Sequence, residues 1–238
     1  MVGIDCSGMI FSRFWAALGI RGKERLMQRG VLLIGGAGPS SAQIRCIVKS
    51  DDLICAADSG LDMALSAGIE PQGIVGDMDS ISDSKLLENY STVEIAERDK
   101  NESDTELGIS WLIERGCESV VLIGGGEGRL DHTLALLKLF SRENLLGVWF
   151  TARDMTESIE ENTELVGDVG STISFFPIGN GPWMVKSMGL TWELDVVDWN
   201  SGAFSLSNRF EAASVKLMVE SGRFILIRPI EQLLYHRW

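Results

Sequence analysis

The sequence predicts an α/β fold, in which a doubly wound, mostly parallel sheet domain is followed by a small antiparallel β-sandwich domain. Two observations support this prediction. Short apolar runs ended by glycine or aspartate alternate with helical stretches over roughly the first two thirds of the chain, as in sheets buried on both faces. After about residue 155 the helical patterns stop, and short β-rich runs separated by turn residues replace them.

Six apolar runs are predicted to form the strands of the first domain. They are Val31–Ile34, Leu53–Ala57, Gly73–Val75, Val93–Ile95, Val120–Ile123 and Leu145–Phe150. Helical stretches lie between them at residues 40–50, 61–67, 104–115 and 131–142. The last of these stretches is apolar nearly all round, so we expect that helix to be well buried.

The second domain is predicted from six shorter runs that are rich in β-forming residues. They are Thr172–Phe176, Trp183–Val185, Trp192–Val197, Ala203–Leu206, Val215–Val219 and Phe224–Ile227. The polar stretch Thr156–Thr163 marks the boundary with the first domain. We therefore predict a helical N-terminal extension at 1–30, an α/β domain at 31–155 and a β-sandwich domain at 156–238.

Composition restricts the partners of this 238-residue chain, which carries a formal net charge of -13. An acidic chain repels polyanions, so we expect no nucleic-acid partner, and a phosphorylated ligand would need a bridging divalent cation. No apolar run approaches the roughly 18 residues of a membrane span. The four cysteines lack C-x-x-C spacing and are expected to be free thiols in a reducing compartment, so we predict a cytoplasmic protein.

Aspartates follow the predicted strands or open the predicted helices. Asp58 follows the second strand, and Asp77 and Asp79 follow the third. Asp104 and Asp131 each open a helix after a polar or glycine-rich loop. Because the carboxyl ends of parallel strands share one edge, these carboxylates should gather at one crevice. Such a cluster is unfavourable unless a hard cation such as Mg²⁺ neutralises it.

Each aspartate also has a purely structural interpretation. Asp58 or Asp131 could cap the helix that follows it. Asp104 could be a first-turn acid in a helix that begins with the capping box Ser103–Glu106. The other two aspartates could be turn residues. Taken singly, each structural role is at least as good an interpretation as a ligand role, but the five together are harder to attribute to capping.

The segment IGGGEGRLDH, residues 123–132, leads from a strand through a glycine-rich loop into a helix. Glycines such as Gly125, Gly126 and Gly128 let backbone N–H groups approach a phosphate, and a helix N-terminus favours anions. Arg129 adds a forked donor for phosphate. The segment is neither a Walker A motif nor G-x-G-x-x-G, so an ordinary strand-to-helix turn is the alternative. Its histidine is expected to be structural rather than a general base.

A third group of polar residues lies in the second domain. The tetrapeptide Gly189-Leu190-Thr191-Trp192 is followed by Ser205-Leu206-Ser207-Asn208. An indole with nearby hydroxyl and amide groups could hold a flat heteroaromatic ring by stacking and hydrogen bonding. The alternative is a core tryptophan beside a polar turn.

Together, these motifs resemble the thiamine pyrophosphokinase family, from about Val31 to Ile230. Six motifs occur in the family's order: ADSG at 57–60, GDMDS at 76–80, KNESD at 100–104, GGGEGRLDH at 124–132, GLTW at 189–192 and SLSN at 205–208. Members of this family combine an α/β domain with a β-sandwich, and they are homodimers that hold thiamine near the subunit interface. The chain departs from the family at Asn101, where bacterial members often carry an acid, and at Ser103, where threonine is usual.

The resemblance implies a magnesium-dependent enzyme that transfers diphosphate from ATP to the hydroxyl of thiamine, giving thiamine diphosphate and AMP. It implies that residues 31–155 carry ATP and magnesium and that residues 156–238 carry thiamine. The implied catalytic residues are Asp58, Asp77, Asp79, Asp104, Arg129 and Asp131, of which Asp77, Asp79 and Asp104 are the metal ligands. The implied nucleotide-binding residues are Gly125, Gly126, Gly128, Arg129, Asp131 and His132. The implied thiamine-binding residues are Trp192, Ser205, Ser207 and Asn208.

Two other functions remain open from the sequence. A pyrophosphokinase acting on another hydroxymethyl heterocycle, such as a pterin, would use the same phosphate chemistry. A non-catalytic sensor of a nucleotide or of thiamine would bind its ligand without releasing AMP. The complete set of aspartates favours an enzyme, because a sensor has no need of a magnesium cluster.

Overall fold

The computed structural model describes residues 28–77, 90, 93–95, 103–142 and 146–231. Most of the predicted extension at 1–30 lies outside the described residues, as does the aspartate at 79. The chain divides into two compact units, whose described residues lie in 28–155 and 156–231. No helix in these described ranges is long and apolar enough to cross a membrane.

The first unit contains a parallel sheet. Its strands are β1 (Gln28–Leu33), β2 (Leu53–Ala57), β3 (Gly73–Gly76), β4 (Val93–Ile95), β5 (Cys117–Ile123) and β6 (Val148–Phe150). They lie in the order β4-β3-β2-β1-β5-β6, and every adjacent pair is parallel. All six predicted strands are therefore confirmed. The chain order reverses at β1, so the loops after β1 and β5 lead away in different directions and leave a crevice at the carboxyl edge.

Four helices in the first unit match the predicted stretches to within a few residues. They are α1 (Ser41–Ile47), α2 (Gly60–Ser66), α3 (Asp104–Glu114) and α4 (Leu130–Leu139). The expectation that the last helix is well buried is wrong. It buries Leu136 and Leu139, while Leu130 is 71% exposed and Leu134 is 56% exposed. The reason is that α4 packs through one stripe, and a helix that is apolar all round carries no polar face to mark which stripe that is.

The core of the first unit lies on β1, β2 and β5, whose central residues are shielded on both faces. Val31, Leu32 and Leu33 are fully buried, and Leu32 pairs in register with Cys55 on one side and with Leu122 on the other. Apolar residues that point to both faces explain why these strands read as uninterrupted apolar runs. This rigid centre fixes the positions at which the site-bearing loops begin.

The second unit consists mainly of β-strands. They are β7 (Asp154–Ile159), β8 (Thr163–Val166), β9 (Thr172–Ile178), β10 (Met184–Met188), β11 (Ser205–Arg209), β12 (Ser214–Ser221) and β13 (Arg223–Pro229). Strand β9 pairs antiparallel with β13 and β11, and β12 pairs antiparallel with β10 and β8. The predicted antiparallel β-rich character of this part of the chain is confirmed. Phe175, Phe210 and Phe224 are fully buried in its core.

Two strands in the second part of the chain were not predicted, and one predicted run is wrong. The polar stretch Thr156–Thr163, predicted to mark the boundary with the first domain, begins where the second unit begins, lies largely within β7 and opens β8. Polar and charged residues occupy many positions of these two strands, so the sequence shows no apolar run there. The run Trp192–Val197, expected to be β-rich, forms a 3₁₀ turn at Leu194–Val196 instead. This run contains a tryptophan and two valines, residue types that favour strands but also occur in turns such as this one.

Candidate active site

A cavity of about 680 Å³ opens at the carboxyl edge of the first unit's sheet. Residues that follow β1, β2 and β5 line it, together with the first turn of α3 and much of α4. Most of the aspartates and glycines singled out from the sequence line it: Asp58, Asp104, Asp131, Gly125, Gly126 and Gly128. The cavity thus lies where the strand order reverses, the usual ligand position in open parallel sheets.

Two aspartates converge at one end of this cavity, which we call the acid end. Asp58 directly follows β2, and Asp104 is the first residue of α3. A Cβ atom added to Gly76, the last residue of β3, would lie 2.1 Å from Asp58 Oδ1 and 3.3 Å from Asp104 Oδ1. Both carboxylates therefore reach the same bare backbone position, and only glycine leaves room for them there.

The backbone of Asp58 is itself unusual. Its φ of 46° lies in the left-handed region, which a non-glycine residue seldom adopts. Its N–H donates to Val75 O at 3.1 Å, and its own carbonyl accepts from Leu61 N at 3.0 Å. These two bonds hold the turn between β2 and α2 in place. Left-handed residues held in this way are concentrated at functional sites.

The structure confirms the capping box predicted before Asp104 but not the caps predicted at Asp58 and Asp131. Ser103 and Glu106 form the predicted capping box, so Asp104 is a first-turn acid as well as a cavity residue. Ser59, not Asp58, occupies the N-cap position of α2. Arg129, not Asp131, occupies the N-cap position of α4. Capping therefore does not explain why aspartate occurs at positions 58 and 131.

The predicted metal ligands are only partly assembled in the described residues. Asp77 follows β3, is half-buried and does not line the cavity, and Asp79 lies outside the described residues. Within the described ranges, no three His, Cys, Asp or Glu side chains come together as a metal-binding group. Asp58 and Asp104 are placed together at the acid end.

The glycine loop, residues 124–128, borders the cavity but uses part of its backbone internally. The N–H of Gly125 donates to Gly35 O at 2.8 Å, and the N–H of Gly126 donates to Ala37 O at 3.0 Å. While these bonds stand, neither of those two amides can donate to a phosphate. Gly128 also lines the cavity, and a Cβ added there would meet no atom within 4 Å. Backbone space for a ligand is therefore open at Gly128 and in the first turn of α4.

Arg129 and Asp131 form a two-pronged ion pair at the start of α4. Arg129 Nε donates to Asp131 Oδ1 at 3.1 Å, and its Nη2 donates to Asp131 Oδ2 at 2.6 Å. The hydrogen bonds from Arg129 hold the pKa of Asp131 below its ordinary value. The N–H of His132 also donates to Asp131 Oδ1, at 3.1 Å. All three residues line the cavity, so the pair presents an exposed guanidinium beside a helix N-terminus.

A second ion pair lines the cavity, and it was not predicted from the sequence. Arg142 Nη1 lies 2.5 Å from Glu106 Oε1, although the residues are 36 positions apart. Burial raises the pKa of Glu106, but the hydrogen bonds from Ser103 and Arg142 outweigh it, so that the pKa is lowered overall. Arg142 belongs to no motif and follows the end of α4, so no sequence signal marks it.

In the second unit, the predicted thiamine residues gather around one amide. Asn208 is fully buried, and its Nδ2 donates to Trp192 O at 2.6 Å and to Ser205 Oγ at 3.1 Å. Its Oδ1 accepts from Trp192 N at 3.2 Å and from Arg209 N at 2.8 Å. The side chain therefore joins strand β11 to the Trp192 turn. This arrangement brings together two segments that the sequence separates by 16 residues.

The surface beside that amide is apolar and exposed. Trp192 is 58% exposed, so the alternative that it is a core tryptophan is wrong. Ser207 has a left-handed φ of 54°, and its N–H donates to Ser174 Oγ at 2.9 Å. Phe204 is also exposed and stacks on Phe176 with ring centroids 5.3 Å apart. An exposed indole near a strained serine and a buried amide is suited to binding a flat polar ring.

Comparison with known families gives two matches on consecutive parts of the chain. Residues 44–147 match "Thiamin pyrophosphokinase, catalytic domain", and residues 158–224 match "Thiamin pyrophosphokinase, vitamin B1 binding domain". The first range includes the acid end and the glycine loop. The second includes Trp192 and Asn208.

Individual relatives agree with these matches. Thiamin pyrophosphokinase 1 of Caenorhabditis elegans is 26% identical over 185 residues, which cover 69% of this chain and 72% of that protein. Thiamine pyrophosphokinase of Bacillus subtilis is 28% identical over 85 residues, which cover 34% of this chain and 40% of that protein.

Solved structures of such enzymes share the fold. The Bacillus subtilis structure has a TM-score of 0.68 at 20% identity and covers 84% of this chain and 98% of its own. The yeast thiamin pyrophosphokinase structure has a TM-score of 0.66 at 16% identity and covers 91% of this chain and 90% of its own. With both family domains matched in order and this fold shared, the chain belongs to the thiamine pyrophosphokinase family.

Proposed function

We propose that this chain is a thiamine pyrophosphokinase, which transfers diphosphate from ATP to the hydroxyl of thiamine and gives thiamine diphosphate and AMP. The observation that carries the proposal is the succession of the two family domains, one catalytic and one for vitamin B1, within a single chain. A binding module for thiamine alone would need no phosphate-handling cavity. A pyrophosphokinase for another heterocycle would need no vitamin B1 domain.

Magnesium is the proposed metal of the acid end. Asp58 and Asp104 offer carboxylate oxygens at one point of the cavity, and oxygen donors are what Mg²⁺ prefers. Asp77, which directly follows β3, and Asp79, two positions later in the sequence, would complete the ligands. When bound, the metal would neutralise the charge of the ATP phosphates, which an acidic chain otherwise repels.

Arg129 is the proposed phosphate contact at the other end of the cavity. Its guanidinium pairs with Asp131 in the structure and is largely exposed, so a phosphate can reach it without a burial penalty. The N-terminus of α4, which begins directly after Arg129, favours an anion at the same place. Gly128 and His132 line this end and would contact the nucleotide beside it.

The reaction follows from this arrangement. The hydroxyl oxygen of thiamine forms a bond to the β-phosphorus of ATP, and the bond from that phosphorus to the oxygen bridging the α-phosphorus breaks. AMP leaves with that oxygen, and the hydroxyl proton passes to a carboxylate, either Asp77 or Asp104. Positioning and electrostatic stabilisation supply most of the rate in such transfers.

Thiamine is proposed to bind at the second unit, against Trp192 and the segment from Ser205 to Asn208. The buried Asn208 amide fixes the Trp192 backbone, which leaves the indole exposed for stacking. Ser205 and Ser207 add hydroxyl groups. Together, these residues would offer a flat ring one apolar face and several hydrogen-bonding groups, which suits a heteroaromatic substrate.

We also propose a cytoplasmic homodimer, with a doubly wound α/β domain and a β-sandwich in each subunit. Exposed apolar side chains on the second unit, among them Trp192, Phe204 and Leu206, support an interface there. A dimer would cover these residues and would bring the thiamine-binding residues close to the interface. Sedimentation velocity would reveal a dimer as a single species of twice the chain mass.

A turnover assay with ATP, magnesium and thiamine tests the proposed function. Equal amounts of thiamine diphosphate and AMP are the expected products. ADP with thiamine monophosphate would contradict the one-step transfer. AMP release with a hydroxymethyl-pterin but not with thiamine would show that the substrate is a pterin. Binding of ATP or thiamine without any release of AMP would indicate a sensor.

A further inference from the structure

The ion pair between Glu106 and Arg142 joins two helices of the cavity wall. One carries Asp104, a proposed metal ligand, and the other begins next to Arg129, the proposed phosphate contact. Glu106 lies in the first turn of α3, two residues after Asp104. Arg142 follows the C-terminal end of α4, the helix whose opposite end carries Arg129. Both residues of the pair line the cavity.

Glu106 divides its two carboxylate oxygens between two tasks. Its Oε2 accepts from Ser103 N at 3.0 Å and from Ser103 Oγ at 2.8 Å, which completes the capping box. Its Oε1 accepts from Arg142 Nη1 at 2.5 Å. The side chain that fixes the first turn of α3 is therefore the same one that is tied to Arg142.

The pair is better placed to position Asp104 than to stabilise the fold. The Arg142 side chain is 53% exposed, and ion pairs at such exposure add little to stability. The Glu106 side chain is less exposed, at 22%, and its two carboxylate oxygens accept three hydrogen bonds. Motion of the end of α4 would therefore be passed to the turn that carries Asp104.

We propose that Glu106 and Arg142 are positioning residues, which hold Asp104 in its place at the acid end by fastening the first turn of α3 to the end of α4. This inference rests on the proposed function, because it assigns a task within that reaction. Neither residue needs to contact a substrate. Loss of the ion pair leaves the capping box and the fold in place but lets Asp104 shift.

Three variants separate positioning from capping and from direct contact. Arg142→Ala removes the tie, and Arg142→Lys restores a charge without the planar fork. Glu106→Gln keeps a capping-box side chain, since glutamine also serves at that position, but removes the charge that faces Arg142. Lys186→Ala breaks the Lys186–Glu220 pair, whose Nζ–Oε1 distance is also 2.5 Å, in the second unit and serves as the matched control.

We expect Arg142→Ala and Glu106→Gln each to lower kcat/KM for magnesium-ATP by about tenfold or more, since small displacements of a reacting group have effects of this size. The double variant should be no worse than either single variant, because both remove one interaction. Arg142→Lys should recover part of the loss. Lys186→Ala should match the unaltered chain, and thermal midpoints should change no more than in this control.

A binding readout accompanies the kinetics. Titration calorimetry with ATP at a series of magnesium concentrations, without thiamine, gives the magnesium concentration at half-maximal binding. We expect that concentration to rise in Arg142→Ala and Glu106→Gln. Unchanged kcat/KM and unchanged magnesium dependence in folded Arg142→Ala would overturn the inference, as would additive losses in the double variant. If the unaltered chain releases no AMP, the proposed function fails while the calorimetry still tests the ion pair.

Discussion

Substitution of Gly76 by alanine tests the convergence of carboxylates at the acid end. The new Cβ would lie 2.1 Å from Asp58 Oδ1, whereas ordinary contact begins at 3.4 Å, so the carboxylate would have to move by about 1.3 Å. Asp104 Oδ1, at 3.3 Å, would be crowded as well. Since a displacement of about 1 Å can lower turnover roughly 100-fold, we expect a loss of at least that size in kcat for thiamine diphosphate formation.

The same substitution also strains the backbone, because Gly76 has a φ of +127°. Strain of this kind costs about 1–3 kcal/mol of stability. Gly68→Ala serves as the control for backbone strain alone. Gly68 has a φ of +71°, but a Cβ there would meet no atom within 4 Å. Both variants should lose thermal stability, and only Gly76→Ala should lose turnover per folded molecule, with the folded fraction measured by circular dichroism. Turnover of folded Gly76→Ala equal to that of Gly68→Ala would refute the assignment of the acid end to the reaction.

Three further predictions concern other parts of the molecule. Asp79→Asn should nearly abolish turnover in a magnesium-ATP assay while leaving the thermal midpoint unchanged. Normal activity in this variant would show that Asp79 is not a metal ligand. Asn208→Ala leaves backbone groups of Trp192 without their partner, so it should raise KM for thiamine but not for ATP and lower stability by about 1–3 kcal/mol. Glu157 has a buried Oε2 that finds no hydrogen-bond partner among the described residues, and burial raises its pKa from 4.5 to about 7, an effect that Arg228 opposes. A raised pKa in the folded state gives stability that is complete below pH 4.5 and is lost as the pH rises through 7. In the unaltered chain, the free energy of unfolding in urea should therefore fall between pH 5 and 8. Glu157→Gln should reduce that fall by up to about 3 kcal/mol, and an unchanged pH dependence in the variant would contradict this.

Local patterns in the sequence predicted the elements that depend on local physics. The strands of the parallel sheet were predictable because both of their faces are buried, which leaves short apolar runs such as Leu53–Ala57. The capping box at Ser103 and Glu106 was predictable because its bonds join residues three apart. Strands β7 and β8 were not predictable, because polar and charged residues interrupt any apolar run there.

The candidate site could be predicted only as a set of residue types at one sheet edge. That Asp58 and Asp104 meet at Gly76 depends on two strands, β2 and β3, and the helix α3 packing together, and no spacing in the chain encodes it. The amides of Gly125 and Gly126 resembled a phosphate cradle, but their partners at Gly35 and Ala37 lie about 90 residues earlier in the chain.

The sequence by itself therefore determined the parallel α/β part, the antiparallel β-rich part and the family, and it supplied the residues of the candidate site, since these follow from burial patterns and motifs within short windows. Tertiary structure alone decided which of those residues meet, that Arg142 reaches Glu106 and that Trp192 is exposed rather than buried. The physical reason is that such contacts join distant segments. Their geometry is set by the packing of strands and helices, which no local pattern specifies.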